Sequence, residues 1–162
     1  MTCWRALPLL LFAGCSTVGP LTENGVAPPA LTRAVGEPIL ECARAEWFPN
    51  AVGWATVRTT FTLPPPAAAG VVVLTPTHVR FVVWENDAYR PVVAMPLATL
   101  VEARTDAYAG EARRLVFIGP DSVNTFQITG PRGAAGDPAA SDRFASRVAA
   151  LLAEREQPEA RP

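Results

Sequence analysis

The sequence contains no lysine, so all fourteen of its cationic side chains are arginine, and against fifteen acidic residues they leave a net charge of −1. That balance lacks the basic excess with which proteins hold nucleic acid, and no nucleic-acid partner is expected. Histidine is nearly absent too, with His78 the single example. A metal site needs several convergent His, Cys or carboxylate groups, and nothing near His78 in the sequence supplies them, so His78 reads as a solvated turn residue. A Ser-His-Asp triad would have to use that same histidine, and no Gly-x-Ser-x-Gly turn is present to carry the serine. The glycine-rich stretch Gly130-Pro131-Arg132-Gly133-Ala134-Ala135-Gly136 lacks the Lys-Ser/Thr ending of a phosphate-binding loop. The carboxylates are scattered singly. These absences point away from an enzyme and from any metal or cofactor. No apolar run approaches the roughly 18 residues that a membrane-spanning helix needs.

What is present begins at the amino terminus. Arg5 is followed at once by an apolar run over residues 6–13, the pattern of a secretory signal peptide and too short to cross a bilayer. The run ends in Leu11-Phe12-Ala13-Gly14-Cys15. This resembles the lipobox of bacterial lipoproteins, with Ala13, Gly14 and Cys15 matching and Phe12 standing where leucine is commoner. The resemblance implies removal of residues 1–14, a diacylglycerol thioether on Cys15 and a further palmitate-type acyl chain on its new amino group. Burial of acyl chains contributes roughly 0.8 kcal/mol per CH₂, and two or three chains on one residue suffice for stable anchoring. By analogy, Ser16 following the cysteine leans toward the periplasmic face of the outer membrane rather than the inner one.

With Cys3 removed and Cys15 acylated, Cys42 is left without a disulfide partner, and it reads as a small buried hydrophobe. Residues 15–37 are polar and broken by Gly19, Pro20, Gly25, Pro28, Pro29 and Gly36, which reads as a flexible tether spanning about 25 Å root-mean-square. The folded domain is expected over residues 38–157, with a disordered tail at 158–162.

Strand signals fill most of that domain. Residues 39–48 end in Trp47-Phe48 before a Pro49-Asn50 turn. Residues 54–63 alternate apolar with polar, and Pro64-Pro65-Pro66 marks an exposed loop. Residues 70–84 place two β-branched runs around Thr75-Pro76-Thr77-His78, a tight turn with proline at its second position. Val72 and Leu74 should share a buried face with Val79, Phe81 and Val83. Further extended stretches follow at 90–95, 97–104, 115–118 and 123–129. The period then changes: Asp137-Pro138 is an N-cap with proline at the first helical position. Phe144, Val148, Leu151 and Leu152 form one apolar stripe on a helix ending before Pro158. The pattern is α+β, about seven strands in a bent antiparallel sandwich or barrel capped by one C-terminal amphipathic helix.

These residues also resemble the pleckstrin-homology (PH) superfold, in particular its GRAM and bacterial PH-like branch. The likeness rests on Gly70, Val72, Leu74-Thr75, His78, Val79 and Phe81, then Met95-Pro96-Leu97 with Leu100, then Phe126, Ile128 and the Phe144 stripe. It covers about residues 36–155 and implies the PH-like fold; because its motifs are packing motifs it implies little about activity. Phosphoinositide-binding members carry a basic cluster near the first hairpin, where this chain has only Arg44 and Arg58. A lipocalin-like or other small β-barrel is the alternative fold.

One surface stands out as a candidate binding site: Trp54, Arg58, Arg80 and Trp84 fall on the outward phase of their expected strands, and aromatics beside arginine are enriched where proteins meet partners. The expected function is a non-catalytic binding or scaffold module, lipid-anchored in the cell envelope, with an envelope protein or peptide as partner. The alternative is a carrier sheltering a lipid or other small apolar ligand inside its barrel, which requires an internal cavity.

Overall fold

The run from Gly70 to Leu74 is apolar at every position, the signature of a strand covered on both faces rather than one. The computed structural model, which describes residues 18–21, 25–49, 68–107, 113–130 and 136–156, shows what covers each face. Seven strands are described: β1 (Glu41–Pro49), β2 (Ala68–Leu74), β3 (His78–Glu85), β4 (Ala88–Pro96), β5 (Glu102–Ala107), β6 (Arg113–Ile118) and β7 (Val123–Ile128). They form one antiparallel sheet in the order β4-β3-β2-β1-β7-β6-β5. Among the described residues two helices accompany it, α1 (Pro29–Val35) and α2 (Pro138–Glu156).

The chain is therefore α+β, with the expected C-terminal helix, but the sheet is not closed: among the described residues β4 and β5 remain its two edges, and the barrel expectation does not hold. The reason is visible in β1. It pairs β2 through Glu41 to Trp47 and β7 through Ala45 to Pro49, so the two halves of the sheet share only a short stretch of one strand. The Trp47 indole N–H donates to Asn124 Oδ1 at 3.1 Å, tying the halves at that junction. The C-terminal helix packs on β5, β6 and β7.

The face of the sheet toward α2 carries the larger core. Val72, Leu74, Val79, Phe81 and Val83 lie on it together, as their alternation requires, with Leu115, Phe117, Phe126 and Ile128 from the other half. Phe144, Ala145 and Val148 of α2 close over them. Phe81, Phe117, Phe126 and Phe144 are fully buried. The Phe81–Phe126, Phe117–Phe126 and Phe117–Phe144 ring centroids lie 5.5, 5.8 and 6.3 Å apart, ordinary contact spacing for tilted aromatics. The start of α2 is set as its sequence indicates, since Asp137 Oδ1 accepts from the Ala140 N–H at 2.9 Å.

The opposite face has its own core, and its cover was not expected. Residues 29–35, inside the stretch read as tether, form α1, with Pro29 in its first turn and Gly36 in the left-handed conformation (φ 74°) ending it. Leu31 and Val35, one turn apart, are buried at 0% and 5% exposure, and upstream Leu21 is buried at 1%. They pack on Val71, Val73, Val82, Cys42 and Tyr89. Prolines and glycines gave the segment a linker's composition, but here they begin and end a short helix whose docking supplies the stability that seven residues lack alone. The expected strand at 54–63, the signal peptide and the 158–162 tail lie outside the described residues.

Candidate functional site

Of the four residues expected to form a binding surface, Trp54 and Arg58 lie outside the described residues, as does Cys15. Arg80 and Trp84 are described, and they sit on the same face as Val82, as strand alternation requires. That face is covered. Trp84 stands edge-on to Tyr89 with ring centroids 4.7 Å apart and packs into the Leu21–Leu31 cluster. A β-carbon built on Gly19 would fall 2.8 Å from the indole, so the backbone of the N-terminal segment lies directly on the Trp84 ring. Arg80 and Trp84 thus lie on the face away from Phe81, under a segment whose sequence reads as a tether.

Arg80 belongs to a polar cluster built around Glu37. Its Nη2 donates to Glu37 Oε1 at 2.6 Å, and the Thr75 hydroxyl donates to Oε2 at 2.9 Å. The Thr77 hydroxyl donates to the same Oε2 and lies 2.6 Å from His78 Nδ1. His78 Nδ1 is 3.4 Å from Oε1, so His78 is part of this cluster rather than a solvated turn residue. The hydrogen bond from Thr77, then that from Arg80, holds the Glu37 carboxyl down at about 2, well below the usual carboxylate range. A carboxylate so stabilised is a poor proton acceptor near neutral pH. The cluster is suited to fastening the end of the N-terminal segment to the β2–β3 turn.

Two other contacts hold that segment. The Arg44 guanidinium donates to the Leu21 carbonyl, and the Gly25 N–H donates to the Cys42 carbonyl at 2.6 Å, beyond the last β1–β7 pair. Burial pushes the Cys42 thiol up to about 11, in keeping with a small buried hydrophobe rather than a reactive thiol.

Between the first residues of β1 and the outer side of α2 runs an open groove of about 800 Å³. Glu41, Cys42 and Ala43 form one wall, and Asp142, Arg143 and Arg147 line the other. Burial raises the Glu41 carboxyl, and Arg147 and Arg143 draw it partly back. The groove is thus a cleft with charge of both signs, lying outside the aromatic core. It went unnoticed in the sequence because its walls come from segments about 100 residues apart that only the fold brings together. No helix among the described residues is long and apolar enough to cross a membrane. No protein-family profile matches the chain, and no curated protein matches it.

Proposed function

We propose that the protein is a lipid-anchored module of the bacterial cell envelope, held through acylated Cys15 and acting without catalysis as a binding or scaffold domain of PH-like fold for another envelope protein or peptide. The PH-like reading draws support from the strand order, a continuous antiparallel series in which β1 pairs both β2 and β7, followed by one C-terminal helix over the open side. The observation that carries the binding reading over the carrier reading is the state of the interior. The space between sheet and α2, where a sheltered ligand would lie, is occupied by Phe81, Phe117, Phe126 and Phe144. Open volume among the described residues is found instead at the surface, above all in the groove beside Glu41, Arg143 and Arg147, whose charged walls suit a polar peptide segment better than an acyl chain.

The test has two arms. Cys15→Ala should remove the protein from the membrane fraction and abolish lipid labelling. A photo-crosslinking side chain in place of Arg147, compared in intact cells with one in place of Asp121 on the β6–β7 turn, should yield a discrete protein adduct from position 147 only. Native mass spectrometry showing a stoichiometric non-covalent lipid on the purified protein would favour the carrier instead.

A further inference from the structure

The N-terminal segment does more than cover a face; it decides how far the domain can stand from its anchor. Leu21 is buried, Val18 packs against the same cluster, and Gly19 lies on the Trp84 ring. Gly25 is bonded to Cys42, α1 is docked, and Glu37 is held by Thr75, Thr77 and Arg80. Six separate attachments therefore fasten the described residues of this segment, 18–21 and 25–37, along the sheet.

We propose that the leash between Cys15 and the folded domain is only the few residues preceding Val18, so that the domain is held with its β3–β4 turn beside the bilayer and its β2–β3 turn outward. The inference rests on the anchor reading of Cys15. A fully extended chain covers at most about 3.6 Å per residue, so residue 18 lies within about 11 Å, and the Gly19–Trp84 contact within about 14 Å, of the residue whose acyl chains enter the membrane. Trp84 is next to last in β3 and adjoins the turn Asn86-Asp87, two non-glycine residues at positive φ, as a tight two-residue hairpin requires. His78, six residues back at the other end of the same strand, is about 20 Å away at ordinary strand rise. The groove beside Glu41 belongs to that distant end, because Glu41 pairs with Leu74, just before the β2–β3 turn.

The charge at the near end favours a leash over adhesion as the source of that proximity. Glu85 borders the turn and Asp87 lies in it, with Arg90 the nearest cation on β4, and that acidic balance gains nothing against an anionic lipid surface. The chain without its acyl groups should accordingly stay off vesicles.

The test uses the acylated protein purified from membranes and reconstituted into vesicles of phosphatidylethanolamine and phosphatidylglycerol containing a nitroxide-headgroup lipid. A fluorophore is carried on Glu85→Cys or on Pro76→Cys, both exposed positions, in the otherwise native chain whose Cys42 is buried. Flotation is read first: protein that fails to float has no working anchor, and the anchor reading and this inference fall together. For floating protein, quenching should be severalfold stronger at position 85 than at position 76. Inserting a flexible Gly/Ser spacer of about 20 residues between Thr17 and Val18 should erase that difference and leave flotation intact. Equal quenching at the two positions without the spacer, or a difference that survives the spacer, overturns the short leash while the anchor stands.

Discussion

Replacing Leu31 by alanine separates a docked N-terminal segment from a flexible one. Leu31 is at 0% exposure, packed among Leu21, Val35 and the sheet side chains Val71, Val73 and Val82. Truncating a fully buried leucine removes its transfer free energy and leaves a cavity, together costing about 2–5 kcal/mol. Because α1 is a single short helix that can relax inward, the lower half of that range applies, about 3 kcal/mol. For a domain of this size that corresponds to a fall in Tm of about 10 °C. The loss cannot exceed the free energy with which residues 18–37 dock, since beyond that the segment would detach and the rest of the domain unfold without it. The adjacent Thr32 is exposed on the other side of the same helix, and Thr32→Ala should change stability by less than about 0.5 kcal/mol. Urea unfolding of the non-acylated chain from residue 16, followed by tryptophan fluorescence, measures both. If Leu31→Ala proves as silent as Thr32→Ala, the segment does not bear on the sheet, and the short leash argued from it goes as well.

The remaining predictions concern sites distributed along the same fold. Because the folded Glu37 carboxyl titrates near 2 rather than its ordinary 4.5, it contributes stability above pH 4.5 that is lost as pH falls toward 2. After allowance for solvent screening the contribution is about 1 kcal/mol, so the stability gap between wild type and Glu37→Gln should close over that interval in unfolding curves taken at stepped pH. Gly70→Ala should destabilise by about 2–3 kcal/mol, because its new β-carbon would fall 2.4 Å from the Val82 carbonyl oxygen and 2.7 Å from the Phe81 ring; a thermal melt unchanged from wild type would contradict the close approach. The Cys42 thiol, buried and raised to about 11, should resist a soluble disulfide reagent at pH 8 until denaturant is added, and prompt native reaction would show that its cover opens readily.

The features legible in the sequence were those that act over a few residues. The β2–β3 hairpin followed from two β-branched runs around a proline turn, and the start of α2 from Asp137-Pro138; both stand where expected. The Phe144 and Val148 stripe faces the core for the same local reason. The second core was harder to see because it joins segments far apart in sequence. Its one local sign on the sheet was Val71-Val72-Val73-Leu74, too continuous for a strand with a wet face. A second sign was the spacing of Leu31 and Val35 between Pro29 and Gly36, which fits one turn of a capped helix. Combining these two signs would have shown that Trp84 and Arg80 were covered. The Glu37 cluster and the Glu41 groove had no comparable signal, since each depends on which strand ends the fold places side by side.

The strand that belongs to both halves of the sheet has a consequence for how the molecule is made. β2 begins about 20 residues after β1 ends, but the other partner of β1, β7, arrives about 80 residues later, so that pairing spans a long separation and is intrinsically slow. During synthesis β1 to β4 and their N-terminal cover can assemble early, while the surface bearing Phe81 and Val83 stays wet until β7 and α2 appear. The interval between those two events is when the nascent chain is most exposed to sticking to its neighbours, and it is when a holding chaperone would be of most use.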